Sequence, residues 1–192
     1  SAHPTLNPSG SPSLLPSFLP TAEPTITPPP TLLPTLDCLA GEFFDYATAS
    51  CEPCPAGTYQ HNGRGTCISC PAGTFSATAG ALNATSCQEC AAGTIAPAAG
   101  STTCTDCLAG TIAAAPASTA CTDCVAGTIA AVDASSVCTD CLAGTVATAA
   151  ASTTCTDCLA GTIAAAPAST ACTDCVAGTI AAVDASSVCT DC

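Results

Sequence analysis

From Cys38 onward the chain repeats a phrase, and does not follow the two- or 3.6-residue hydrophobic periods of ordinary strands and helices. A cysteine is followed by one small or apolar residue, then Ala-Gly-Thr, then a larger apolar residue. A polar Ala/Ser/Thr stretch leads back to the next cysteine. The larger apolar position is filled by Phe43, Tyr59, Phe75, Ile95, Ile112, Ile129, Val146, Ile163 and Ile180. These are aromatic or β-branched residues in polar surroundings, which predicts a strand of two or three residues, a polar loop and a return to the next cysteine. The glycine of each phrase, as in Cys107-Leu108-Ala109-Gly110-Thr111, predicts a turn that needs positive φ or a close backbone approach. Alanine-rich stretches do not predict helices. Pro116, Pro167 and the many Ser and Thr residues leave segments too short to hold one.

The cysteines set the period. After a lone Cys38 come CEPC at 51–54, CISC at 67–70 and CQEC at 87–90. CTDC then occurs six times, starting at Cys104, Cys121, Cys138, Cys155, Cys172 and Cys189. Residues 104–141 recur letter for letter as 155–192, a 38-residue stretch repeated at an offset of 51, or three 17-residue units. Self-similarity at a fixed period predicts a solenoid or linear array. The last pair lacks its following loop, so the natural protein is expected to continue beyond Cys192.

Nineteen cysteines in 192 residues predict either an oxidised scaffold or a metal-rich protein. Spacing leaves two pairings open. One links the second cysteine of each pair to the first of the next: Cys38–Cys51, Cys54–Cys67, Cys70–Cys87, Cys90–Cys104, Cys107–Cys121, Cys124–Cys138, Cys141–Cys155, Cys158–Cys172 and Cys175–Cys189. The other interleaves, joining first to first and second to second across two units. The sequential ladder is preferred because it accounts for the lone Cys38 and leaves over only Cys192. Each loop of this size is worth about 3 kcal/mol on the chain-entropy account.

Zinc enters through the resemblance of the CxxC spacing to a zinc ribbon. Nine pairs in an unbroken series weigh against it, and against a redox site, which usually carries a single such pair. The aspartates of CTDC (Asp106, Asp123, Asp140, Asp157, Asp174 and Asp191) form an acidic stripe if units stack, but one carboxylate per unit is a thin set for calcium. A solvated turn is the simpler expectation for these Thr-Asp pairs. Their threonines could also form an ice-binding ladder or a glycan platform. No cofactor, metal or catalytic residue is expected, since two histidines and a chain without large core residues offer nothing to build an active site.

Charge narrows the partners. Arg64 stands alone as a strong base against 14 acids, for a formal net charge of −13. One arginine cannot neutralise phosphates, which excludes nucleic acid and anionic membrane surfaces. No apolar run is long enough to cross a membrane as a helix. The chain opens at Ser1 without a charged and apolar leader, as expected of a mature or excerpted segment. Phe18, Phe43, Phe44, Tyr46, Tyr59 and Phe75 are its six aromatics, all within the first 75 residues. Phe43, Phe44 and Tyr46 cluster in the first repeat, as a hydrophobic cap or as a dock for a neighbour's arm.

Residues 1–36 are a different material. Pro4, Pro8, Pro12, Pro16, Pro20, Pro24 and Pro28 recur every fourth position. Ser1, Thr5, Ser9, Ser13, Ser17, Thr21 and Thr25 open the tetrapeptides, with Thr31 and Thr35 following a slip in phase. Proline fixes φ and removes a donor, so polyproline II is predicted, rising about 3.1 Å per residue to roughly 110 Å. Hydroxyls at regular intervals on such an arm suit O-glycosylation, and the segment is similar to hydroxyproline-rich glycoproteins of algal and plant walls, in which Ser, Thr and hydroxylated Pro carry sugars. Asn83-Ala84-Thr85 adds an N-glycosylation sequon, whereas Asn7-Pro8-Ser9 is blocked by its proline.

CEPCPAGTYQ (51–60) and CISCPAGTFS (67–76) resemble the ephrin-receptor-like cysteine-rich repeats, related in style to EGF-like and tumour-necrosis-factor-receptor modules. Later units keep the cysteine frame and glycine but exchange Pro for Leu, Val or Ala and the aromatic for Ile or Val. The resemblance implies an extracellular, rod-like, non-catalytic module of the kind found in long algal and protist surface proteins, including flagellar hairs. The expected architecture is thus small disulfide-rich repeats, mostly irregular with short β-strands, forming an elongated rod after a polyproline II arm. Its parts are the arm (1–36), longer-looped units (37–90) and near-identical 17-residue repeats (91–192). The expected function is that of a self-associating, glycosylated protomer of a secreted filament or cell-surface fibre, one copy's arm lying along another's rod. An adhesion or ligand-binding stalk is the alternative, and an ice-binding solenoid a distant third.

Overall fold

A computed structural model describes residues 37–192. The proline-rich arm and its expected polyproline II conformation lie outside the described residues. Leu36–Cys192 forms one unit, a succession of small stapled repeats. Among the described residues the strands form nine antiparallel pairs, each its own two-stranded sheet. The first and longest joins β1 (Glu42–Asp45) to β2 (Ser50–Pro53). Every later pair sets the two residues after Ala-Gly against the two inside the next CxxC, as Thr128–Ile129 does against Thr139–Asp140. A single 3₁₀ turn, Ala84–Ser86, is the only helical element among the described residues.

The Thr-Asp pairs of CTDC are therefore strands and not the solvated turns their composition suggested. In the register Thr139 lies opposite Ile129 and Asp140 opposite Thr128. Disulfides at both flanking cysteines hold the dipeptide extended, overriding its turn propensity. The bonds are Cys38–Cys51, Cys54–Cys67, Cys70–Cys87, Cys90–Cys104, Cys107–Cys121, Cys124–Cys138, Cys141–Cys155, Cys158–Cys172 and Cys175–Cys189. Each CxxC thereby serves two units: its first cysteine closes one loop and its second opens the next.

The core is made of cystine and methyl groups. Cys54, Cys70, Cys90, Cys107, Cys124, Cys141 and Cys158 are 0% exposed, whereas their partners nearer the surface are half-buried. The residue after each short strand is buried beside them: Ala96, Ala113, Ala130, Ala147, Ala164 and Ala181, with Gln60 and Ser76 in the same place earlier. Alanine removes little area from water, and burial yields about 25 cal/mol per Å². Side-chain burial alone cannot hold such units, so backbone bonds and staples must.

Backbone bonds stitch each unit to its successor. Gly127 N donates to Ala147 O at 2.8 Å, Ala130 N to Ser152 O at 3.3 Å, and Ala151 N returns to Cys124 O at 2.8 Å. The same three bonds occur one unit earlier, from Gly110 to Ala130, Ala113 to Ser135, and Ala134 to Cys107. Packing reaches further still, because Gly127 at φ +89° lies against the carbonyl of Ala168, two units on. Unit-to-unit contact of this kind is what a solenoid requires.

Alanine occupies a costly conformation in each loop. Ala117, Ala134, Ala151, Ala168 and Ala185 have φ between 55° and 57°, where the earlier units place Gly80 and Gly100. The left-handed region costs a non-glycine residue roughly 1–2 kcal/mol, partly offset by the greater unfolded-state freedom of glycine. The methyl of Ala134 is exposed, so its removal loses no packing. Ala134→Gly is therefore expected to raise stability by about 0.5–1 kcal/mol in denaturant unfolding. A lower midpoint would show that the left-handed alanine carries no strain.

Candidate functional site

The first repeat departs from the pattern, and it does so with aromatic residues. The Asp45 carboxylate stiffens the tip between β1 and β2, accepting from Ala47 N at 2.9 Å and from the Thr48 hydroxyl at 3.2 Å. Ala49 turns the chain at φ 53°, and Ser50 donates to Glu52 at 2.8 Å. Tyr46 is 83% exposed on this tip and meets Phe44 edge to face, ring centroids 5.0 Å apart. That geometry is favourable for an aromatic pair.

A second loop supplies the facing wall. Gln60, buried where later units bury alanine, donates through Nε2 to Arg64 O at 2.9 Å and Thr66 O at 2.8 Å, and accepts from His61 N at 2.9 Å. Its amide thus fixes the loop 61–66 from inside. Arg64 forms a two-point ion pair with Asp37, both contacts at 2.9 Å, on the exposed side. Between the two loops lies a shallow hollow of about 480 Å³, lined by Phe43, Phe44, Asp45, Tyr46, Gly65 and Thr66. Three aromatics and one carboxylate give it a mainly apolar, ring-lined surface. The aromatic cluster is legible in the sequence; the loop that completes the hollow is not, because nothing in the repeat marks Gln60 as buried.

Asn83 caps the 3₁₀ turn. Its side-chain oxygen accepts from Thr85 N at 3.0 Å and from the Thr85 hydroxyl. Both sequon residues are exposed, and among the described residues the Asn83 amide nitrogen has no partner. A nitrogen placed so is accessible to a glycan. The remaining expected sugar positions (Ser1, Thr5, Ser9, Ser13, Ser17, Thr21, Thr25, Thr31, Thr35 and the prolines from Pro4 to Pro28) lie outside the described residues.

Three further sets of residues recur from repeat to repeat. The Ala-Gly-Thr hydroxyls are engaged, as Thr111 with Leu108 O at 2.8 Å and Thr128 with Val125 O at 2.9 Å, whereas the CTDC threonines Thr105, Thr122, Thr139, Thr156, Thr173 and Thr190 are exposed on their strands, with Thr190 donating to Ile180 O at 3.2 Å. The CTDC aspartates are exposed on their strands, and among the described residues no three Asp, Glu, His or Cys side chains gather as a metal site would require. Leu39, after the lone Cys38, and Leu108, Val125, Leu142, Leu159 and Val176, each directly after the second cysteine of a pair, form an exposed aliphatic set that composition did not single out. Their periodic place in the phrase was the available signal.

Residues 41–87 match the family described as tyrosine-protein kinase ephrin type A/B receptor-like. The match covers the aromatic first repeat and the two units after it, a minority of the chain. No curated protein matches the sequence. Tandem disulfide-bonded repeats together with this match are of the extracellular ectodomain type, suited to structural or ligand-binding work. Among the described residues no helix is long and apolar enough to cross a membrane.

Proposed function

We propose that the chain is a non-catalytic structural protomer of an extracellular glycoprotein fibre, needing no cofactor and inserting into no membrane. The observation that carries this reading is translational repetition. Beyond the first repeat, successive units offer their neighbours the same backbone bonds, and their core is mainly cystine and alanine, with Gln60, Ser76 and Val146 the exceptions. A protein that binds or transforms a small ligand concentrates its distinctive residues in one place. Here residues 104–141 and 155–192 are identical instead, which adds length without adding a site.

Negative-stain microscopy of the secreted full chain over a range of concentrations tests this. Fibres with a regular axial spacing are expected, and dispersed single molecules at every concentration would overturn it. Glycosylation is tested separately by intact mass. A large excess over 18.3 kDa is expected, part of it lost in Asn83→Gln. A mass equal to the bare oxidised chain would remove the sugars from the proposal.

A second reading, an adhesion or ligand-binding stalk, is favoured by the family match at 41–87 and by the aromatic hollow on the same repeat. Under it the repeats hold a head away from a surface. A soluble partner retained by the first repeat alone, without self-association, would select it.

A further inference from the structure

The aromatic hollow is the one place among the described residues where the repeat pattern is broken by large, partly exposed rings. We propose that it docks the proline-rich segment 1–36 of a second copy of this chain. The proposal rests on the fibre reading and names the contact that would join one protomer to the next. Proline-rich segments are bound by shallow aromatic surfaces, because a polyproline II helix is already ordered and its pyrrolidine rings lie flat on tyrosine and phenylalanine. Tyr46, Phe44 and Phe43 supply such a surface, and the Asp45 bonds hold it in place before any ligand arrives.

Charge selects this occupant over a second set of repeats. Of the formal net charge of −13, residues 1–36 contribute only Glu23. Repeats approaching repeats bring like charge against like, whereas the proline-rich segment meets the acidic surface almost neutral. Chain length favours another copy's segment. Residue 36 joins the repeats only seven positions before Phe43, and proline's fixed φ disfavours the chain reversal that binding to its own hollow would need.

Tyrosine fluorescence tests the dock. The chain has no Trp, its only tyrosines are Tyr46 and Tyr59, and residues 1–36 contain neither residue type. A synthetic peptide of residues 1–36, added to dilute full-length protein, should change the tyrosine emission saturably, and Tyr59→Phe should leave that change in place. Tyr46→Ala, followed by a labelled peptide, should weaken binding about tenfold or more. Tyr46 is too exposed for its loss to unfold the repeat, and an unchanged disulfide mass would confirm that. A peptide with Pro12, Pro16, Pro20 and Pro24 replaced by Ala should bind no better than background.

Equal binding by wild type and Tyr46→Ala overturns the site. Emission that responds to maltohexaose and not to the peptide assigns the hollow to a sugar and overturns the occupant. Fibres without peptide binding overturn this contact and leave the fibre reading standing. Peptide binding by a protein that stays monomeric at every concentration overturns the second copy.

Discussion

Complete reduction of the disulfides is expected to unfold the whole repeat region, leaving no stable remnant. Most domains of this length keep a hydrophobic core when a bridge is lost; here the bridges are the core. The fully buried side chains of largest volume are all cysteines, and their neighbours are alanines. Each loop closure is worth about 3 kcal/mol on the entropic account, and coupled units do not contribute independently. Elastase is a suitable probe, since it cleaves after small residues, which are abundant here. The oxidised repeats should resist digestion, and the reduced, alkylated chain should be cut throughout 37–192. Resistance that survives reduction would mean that the backbone bonds between units suffice without staples. Removing a single bridge, as in Cys124→Ser with Cys138→Ser, should cost roughly 3 kcal/mol and open mainly the units beside it.

This architecture bears on the fibre reading through the path that tension takes. The Cys107–Cys121 and Cys124–Cys138 bonds each close a loop of sequence separation 14. Only the Thr-Asp dipeptide between successive bridges is not enclosed by a loop, and it is extended already. Pulling on an oxidised array therefore releases little hidden length, while every loop remains covalently closed. An array of this kind yields by separating units from one another, not by paying out chain.

The short strands and the glycine turns were legible because each rests on a local rule. A β-favouring residue after Gly-Thr makes Thr111–Ile112 and its equivalents extended, and only glycine sits easily at φ near 89°. The strand formed by Thr122–Asp123 was not legible, because its propensity points to a turn and only the two flanking disulfides decide otherwise. The buried Gln60 amide escaped for a similar reason. Glutamine is ordinarily exposed, and the loop carbonyls of Arg64 and Thr66 that satisfy it belong to the tertiary structure. The left-handed alanines are equally silent in sequence, their conformation being imposed by the bond that Ala134 N makes back to Cys107 O. In the candidate site the rings could be read and the wall facing them could not.

The close approach between units separated by two steps leads to a sharp expectation for Gly127→Ala. Two costs combine at that position. Its φ of +89° is one that an alanine adopts only under strain, on the order of 1–2 kcal/mol. A Cβ there would also stand 2.2 Å from the carbonyl oxygen of Ala168 and 2.8 Å from its carbon, both backbone atoms that cannot rotate away. Relief requires the units to part, which loosens the Gly127–Ala147 and Ala151–Cys124 bonds beside the clash. Together these should cost roughly 3–5 kcal/mol in denaturant unfolding. Gly65→Ala, in the loop 61–66, is the control. Its φ is +85°, yet a Cβ there meets nothing within 4 Å, so it carries the strain without the clash. Gly127→Ala should therefore be the more destabilising by about 2 kcal/mol or more, with enhanced hydrogen exchange around Ala147 and Ala168. Equal losses at the two glycines would mean that φ alone sets the requirement, and that the contact two units along contributes nothing to holding the array together.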